Sequence, residues 1–378
     1  MTDSFCYLDY NASTPIHPEV LESYYQTAQK YFANPSSSHR LGKQAQELLQ
    51  QAREQMAVVL DCEPQEIWFT SGGTESNNWI LERMALRFPK KHFIVAGIEH
   101  KSVLQSARFL EAQGQIELTV LPVALHGALE LSALQKALRP ETVFVSLMLA
   151  NNETGIIQPV QELASLCHKR GILLHTDAVA ALGKIPLSFR SLGVEALSLS
   201  AHKLYSPKAV GLLVLKESSP LEPLIHGCGQ QQGMRSGTEN LAGVVAFAKA
   251  FDLLKQGAFR EKEITQHTQT LQKELTQHFS IVFHGSGERL PNTLSVAFPG
   301  YSGQKLLQAL SEKNIFVSAG AAASTGAPSS VLTAMGVDTT LAQSTLRLSL
   351  GWGNTSKMVE YFLEHLHLIL SCSEVQHV

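Results

Sequence analysis

The sequence predicts an α/β protein with two parts, a large domain built on a mostly parallel, doubly wound sheet and a smaller α+β domain. Three observations carry this. Between Ile67 and Leu215, short apolar runs alternate with stretches of helical period, the pattern of a parallel sheet covered on both faces. After about residue 255 the rhythm changes to a long polar helix followed by mixed strands and helices. At 378 residues, 44% hydrophobic and 17% charged, the chain can bury one generous core and a second, smaller one.

Taken in order, a short N-terminal arm precedes two helical stretches, Pro18 to Phe32 and Ser38 to Leu60, separated by the turn ANPSS. Strands are expected at IWFT, HFIVAG, IELTVL, TVFVSLML, ILLHT, ALSLS and GLLVL. Helices are expected near Thr74 to Phe88, Lys101 to Gln113, Leu131 to Leu138 and Val160 to Arg170. A helix from Asn240 to Leu254 closes the large domain, residues 13–255. The small domain, residues 1–12 and 256–378, holds a helix from Phe259 to His278, strands IVFHG and TLSVAF, the helix SGQKLLQALSEKN, strands IFVSAG and RLSLG, and a last helix from Ser356 to Leu370.

The net charge of −3 gives no reason to expect nucleic acid or an anionic membrane as partner. The opening MTDSFCYLDYN has neither the basic start nor the apolar run of a secretory signal, and no stretch approaches bilayer-spanning length, so the expectation is a cytoplasmic protein. The cysteines are Cys6, Cys62, Cys167, Cys228 and Cys372, an odd number without a CxxC pair, which points to neither a disulfide framework nor a metal site.

In open α/β sheets, ligands sit beyond the carboxyl ends of the strands, and the polar stretches here fall there. In SLSAHKLYSPKAVGLL, Lys203 ends an apolar run, where desolvation favours the free amine and hence attack on a carbonyl carbon. TSGGTESNN follows IWFT and opens a helix, so Gly72, Gly73 and Thr74 read either as a phosphate cradle or as a helix start with Thr74 as N-cap. His100 follows HFIVAG, suited to stacking on a flat ring, to moving protons or to a structural bond. Asn151, Asn152 and Glu153 end another strand, where a hydrogen-bonded turn is the plainer reading. Asp177 follows ILLHT, a costly place for a carboxylate without a cationic partner such as a protonated ring nitrogen. Arg347 lies among apolar neighbours, where a guanidinium usually has a carboxylate to bind.

SGGTESNN, EHKSV, NNETG, HTDA, SAHKLYSPKAVG, RSGTEN and TLRLSLG, in this order over nearly the whole chain, resemble the NifS/IscS-type cysteine desulfurases and the closely similar selenocysteine lyases, fold-type I pyridoxal phosphate enzymes of the class V aminotransferase group. The resemblance implies that Lys203 holds pyridoxal 5′-phosphate as an imine, that Asp177 pairs with the ring nitrogen and that His100 stacks on the ring. Gly73, Thr74, Ser200 and His202 would bind the phosphate, with Thr238 reaching in from the other subunit of a homodimer. Asn152 would meet the ring hydroxyl or the substrate, and Asn34 and Arg347 the substrate carboxylate. The implied reaction converts L-cysteine to L-alanine and passes sulfur, as a persulfide, to an acceptor such as an iron–sulfur scaffold or a tRNA-thiolation protein.

Two positions depart from the pattern. Ala323 stands where the family carries its nucleophilic cysteine, and Ala180 where it usually has a glutamine facing the ring oxygen. An introduced substitution would account for the first alone, whereas the pair speaks for natural divergence. Cys228, in the loop the family extends toward the partner's site, is a candidate substitute sulfur acceptor beside the plainer reading of a bystander thiol. Selenocysteine lyase activity and a non-catalytic, cofactor-binding scaffold of a sulfur-transfer complex are the competing readings.

Overall fold

The computed structural model describes residues 5–219, 221–319 and 327–371. The chain opens with a two-residue strand β1 (Cys6–Tyr7) and the helices α1 (Pro18–Lys30) and α2 (Arg40–Leu60). It then lays down β2 (Ile67–Thr70), α3 (Gly73–Arg87), β3 (Lys91–Ala96), α4 (Lys101–Ala112), β4 (Ile116–Leu121), β5 (Thr142–Ser146), β6 (Leu173–Asp177), β7 (Ala196–Ser200) and β8 (Gly211–Leu215). These strands form one sheet in the order β2-β8-β7-β6-β5-β3-β4.

Every neighbouring pair is parallel except those of β8, which runs antiparallel to β7 and β2. The reason is connection length. A parallel return needs a crossover of a dozen or more residues, and only residues 201–210 separate β7 from β8. Lys203 rides on this short link, in a single helical turn, Ala201–Lys203.

Both faces of the sheet are covered. Along β3, Phe93 and Val95 enter one apolar cluster while Ile94 and Ala96 enter another, and along β8 Leu213 and Leu215 alternate with Leu212 and Val214 in the same way. Strands buried on two sides read as continuous apolar runs, as expected.

The second part contains β9 (Val282–Phe283), β10 (Thr293–Ala297), β11 (Ile315–Phe316), β12 (Ser318–Ala319) and β13 (Thr345–Ser349). An antiparallel sheet runs β12-β13-β10-β9, and β1 pairs in parallel with β11. The run IFVSAG, expected as one strand, breaks at Val317, so that β11 serves the N-terminal arm and β12 serves β13. A third core gathers Cys6 and Leu8 with Leu271, Leu294, Leu348 and Phe362. Val331, Leu332, Met335 and Ala342 pack on the large core instead. No described helix is long and apolar enough to cross a membrane.

One close approach positions the site. Gly211, at the start of β8, passes so near the residue before α3 that a Cβ there would lie 2.5 Å from the Gly72 Cα and 2.8 Å from its nitrogen. Backbone cannot retreat as a flexible side chain can. Gly211→Ala is therefore expected to cost about 1–3 kcal/mol of stability, the usual range for overpacking, and to lower the urea midpoint; an unchanged midpoint would mean that the two segments do not meet.

Candidate active site

The carboxyl ends of β2, β3, β5, β6 and β7 open on a cavity of about 620 Å³, closed on one side by Arg347 of β13 and by Asn11, Ala12 and Ser13 of the N-terminal arm. Gly73, Thr74, His100, Asn152, Asp177, Ser200, His202 and Lys203 all line it. Eight residues singled out in sequence, from five strand ends, thus share one space.

Lys203 donates from Nζ to the carbonyls of Asn11 at 2.5 Å and Ala12 at 2.8 Å. Burial, then the nearby Arg347 charge, pushes its pKa down to about 8. Two carbonyls orient the amine without neutralising it, which leaves desolvation free to favour the uncharged form.

Asp177 is buried at the end of β6. Its Oδ1 accepts from the Val179 N–H at 2.9 Å and its Oδ2 from Asn77 Nδ2 at 2.7 Å. The same Asn77 amide donates to Ser102 Oγ at 2.9 Å, and Ser102 Oγ meets His100 Nδ1 at 2.7 Å. The Ser102 N–H also bonds to Nδ1, at 3.1 Å, making it an acceptor and assigning the neutral ring's hydrogen to Nε2. A side-chain relay therefore runs Asp177–Asn77–Ser102–His100. Asn77 Oδ1 is buried with no hydrogen-bond partner.

At the opposite end, α3 begins with Gly72 as N-cap, at φ +152°, without a side-chain cap. The expectation of Thr74 as N-cap is corrected: Thr74 lies inside the first turn, and only glycine tolerates that φ readily. Free backbone N–H groups, the Thr74 and Ser200 side chains and Lys208 converge there. A Cβ on Gly73 would stand 2.7 Å from Val179 Cγ2, so the cradle is packed from behind by the turn that holds Asp177. His202 bonds through Nδ1 to Ser13 Oγ at 3.2 Å, and burial pushes its pKa down to about 4, keeping it neutral.

These groups fit pyridoxal 5′-phosphate. The donor set supplies an amine for its carbonyl, a fixed carboxylate for a protonated ring nitrogen and an uncapped helix N-terminus for its phosphate.

At the wall of the cavity, Arg347 Nη2 reaches Asp9 Oδ1 at 2.5 Å and Ser318 Oγ at 2.8 Å, and Nη1 bonds to the Asn152 carbonyl at 3.3 Å. The carboxylate that this buried guanidinium called for is thus partly supplied by the arm. Asn34 is exposed, does not line this cavity, and its Oδ1 takes the Ser36 N–H at 2.9 Å in a local turn. Asn151 likewise serves a turn, its Oδ1 accepting from the Glu153 and Thr154 N–H groups. Thr238 and Cys228 are exposed and do not line the cavity of their own chain. Ala323 lies outside the described residues.

Sequence reasoning missed the arm, Asn77, Ser102 and Glu99. Glu99 accepts the Met148 N–H at 2.7 Å, and burial raises its carboxyl well above the usual range. Ala180 lines the cavity, and its carbonyl takes a 2.8 Å bond from Lys184, whose pKa burial pushes down to about 7. For Glu99 and Asn77 the signal was their place in EHKS and TESNN, beside residues already singled out.

The class-V aminotransferase family model matches residues 6–362. The cysteine desulfurase IscS of Dictyoglomus turgidum is 39% identical over 371 residues, covering 96% of this chain and 94% of its own. That of Methanosarcina thermophila is 38% identical, covering 95% and 90%. Among solved structures, a NifS-like protein superposes with a TM-score of 0.91 at 39% identity over 97% of this chain and 99% of its own. SspA, solved in complex with cysteine, does so with 0.82 at 34% identity over 91% and 98%. Sequence and fold agree over nearly the whole length, and the chain belongs to the class-V aminotransferase family of fold-type I pyridoxal phosphate enzymes, in its NifS/IscS-type cysteine desulfurase group.

Proposed function

We propose that this protein binds L-cysteine beside pyridoxal 5′-phosphate and breaks its carbon–sulfur bond to release L-alanine. The observation that carries the reading is the desolvated Lys203 amine in the same cavity as the doubly bonded Asp177 carboxylate. The cysteine bound to the relative SspA supports the substrate.

Bound pyridoxal phosphate supplies an electron sink for charge developing at the substrate's α-carbon. Asp177 holds the proton on the ring nitrogen that such a sink needs. Lys203, with a pKa near 8, is a base at Nζ able to take the α-proton and return it. His100 offers its Nε2 hydrogen to the sulfur side, and Asn152 with Arg347 orients the substrate carboxylate.

The net reaction is cysteine plus an acceptor thiol giving alanine plus the acceptor persulfide: the carbon–sulfur bond breaks, a sulfur–sulfur bond forms, and the thiol hydrogen balances the hydrogen gained by carbon. Alanine at 323 cannot be that acceptor. The thiol then comes from an acceptor protein, an iron–sulfur scaffold or a tRNA-thiolation protein, or from Cys228 across a homodimer interface, in a cytoplasmic setting. Of the described cysteines only Cys228 is exposed. Selenocysteine is the second substrate to compare, because selenide leaves more readily and leans less on a nucleophile.

Three outcomes are expected. Lys203→Ala abolishes the visible absorption of the cofactor-loaded protein and lowers alanine formation about 10²- to 10⁴-fold; colour that survives dialysis would remove Lys203 from its role. Since only the free amine attacks, loading of the cofactor-free chain speeds up as pH rises and is half-maximal near 8, followed by stopped-flow absorbance. A midpoint near the ordinary lysine value of 10.5 would contradict the desolvation argument. Finally, Ala323→Cys raises persulfide yield from L-cysteine, whereas a catalytically silent scaffold stays silent; loss of residual sulfide release in Cys228→Ala identifies that thiol as the acceptor, and unchanged release excludes it.

A further inference from the structure

Glu75 is an unexpected neighbour for a phosphate. It follows Thr74 in the first turn of α3 and lines the same cavity. A carboxylate there favours the helix dipole, but it also repels an anion held at the same N-terminus. Its two oxygens are fully engaged. Oε1 accepts from Arg235 Nε at 2.9 Å; Oε2 accepts from Arg235 Nη2 at 3.2 Å and from the Ser71 N–H at 2.8 Å. The pair is shielded, with the glutamate side chain 12% and the arginine side chain 21% exposed. Burial alone would raise the Glu75 carboxyl, yet the bonds from Arg235 and Ser71 outweigh it and hold it below the usual range.

Arg235 belongs to the loop that carries Cys228 and Thr238, and this loop is held at a second point. Gln231 uses its side-chain amide as a strand would: Oε1 takes the Phe69 N–H at 2.7 Å and Nε2 gives to the Phe69 carbonyl at 2.8 Å, on the edge strand β2. Gln231 and Gln232 adopt left-handed backbone at φ +47° and +57° to make that reach.

We propose that Arg235 is a positioning residue for the cofactor phosphate: by pairing bidentately with Glu75 it cancels the carboxylate's charge beside the cradle and fastens the Gln231–Thr238 loop to the first turn of α3. Anion binding at Gly72–Thr74 then depends on a residue 160 positions from Glu75 in the chain. Removing one partner of a shielded pair leaves an uncompensated charge, here one of the wrong sign for the ligand. The inference rests on the phosphate being held at this helix N-terminus.

The test is a set of binding titrations with the full-length, cofactor-free chain, using pyridoxal 5′-phosphate and phosphate-free pyridoxal as probes. Arg235→Met is expected to weaken pyridoxal 5′-phosphate about 10- to 100-fold while leaving pyridoxal within about twofold. Adding Glu75→Gln to that variant should restore phosphate-form binding to within about threefold of wild type, because the repelling charge has gone. Equal losses for both probes, or a double variant no better than Arg235→Met, would reduce the pair to a structural tie and overturn the proposal. A wild-type chain without preference for the phosphate form would overturn the cradle itself. If Arg235→Met fails to fold by circular dichroism, Glu75→Gln alone decides: it should bind pyridoxal 5′-phosphate at least as tightly as wild type, and a loss confined to the phosphate form would contradict the argument.

Discussion

A lysine held where its charge is unfavourable organises this molecule. Lys203 lies beyond β7 on a link too short for a crossover, which turns β8 antiparallel and drives the amine into the cavity. There it finds two carbonyls of the N-terminal arm and no carboxylate bonded to it among the described residues. The same arm supplies Asp9, which occupies part of Arg347 and so keeps a second cation in place beside the first. The arm also pairs with β11 and bridges β13 at Asp9 and Ser349, so one stretch of chain ties the small antiparallel sheet to the Lys203 amine.

The opposite requirement applies to Asp177. Its buried carboxylate is held at both oxygens, by the Val179 N–H and by the Asn77 amide. Glu99, nearby and fully buried, has one oxygen bonded and the other without a partner, and burial raises its carboxyl well above the usual range. Two carboxyl groups of similar chemistry thus take different roles through the bonds around them. The relay through Asn77 and Ser102 then fixes the ring orientation of His100 from the same anchor.

Much of the fold was legible because it is periodic. Alternating apolar runs gave the parallel sheet, and a lysine, a carboxylate and a glycine-rich turn at strand ends gave the cavity, since ligands collect where loops collect. The turn ANPSS was legible, but not the bond inside it, from the Ser36 N–H to Asn34 Oδ1. Val317 is a second case, an apolar run that reads as one strand but serves two partners. Local pattern does not encode which edge a segment will pair with.

By itself the sequence determined the layered α/β architecture, the family and the residue types available for chemistry, because these follow from hydrophobic period and from motifs local in the chain. Only the tertiary structure decided which groups restrain which. The arm on Lys203, Asp9 on Arg347, Asn77 on Asp177 and Arg235 on Glu75 join residues 100 or more positions apart. Such contacts exist because burial forces each polar group to find a partner wherever the fold brings one, and no local pattern announces where that will be.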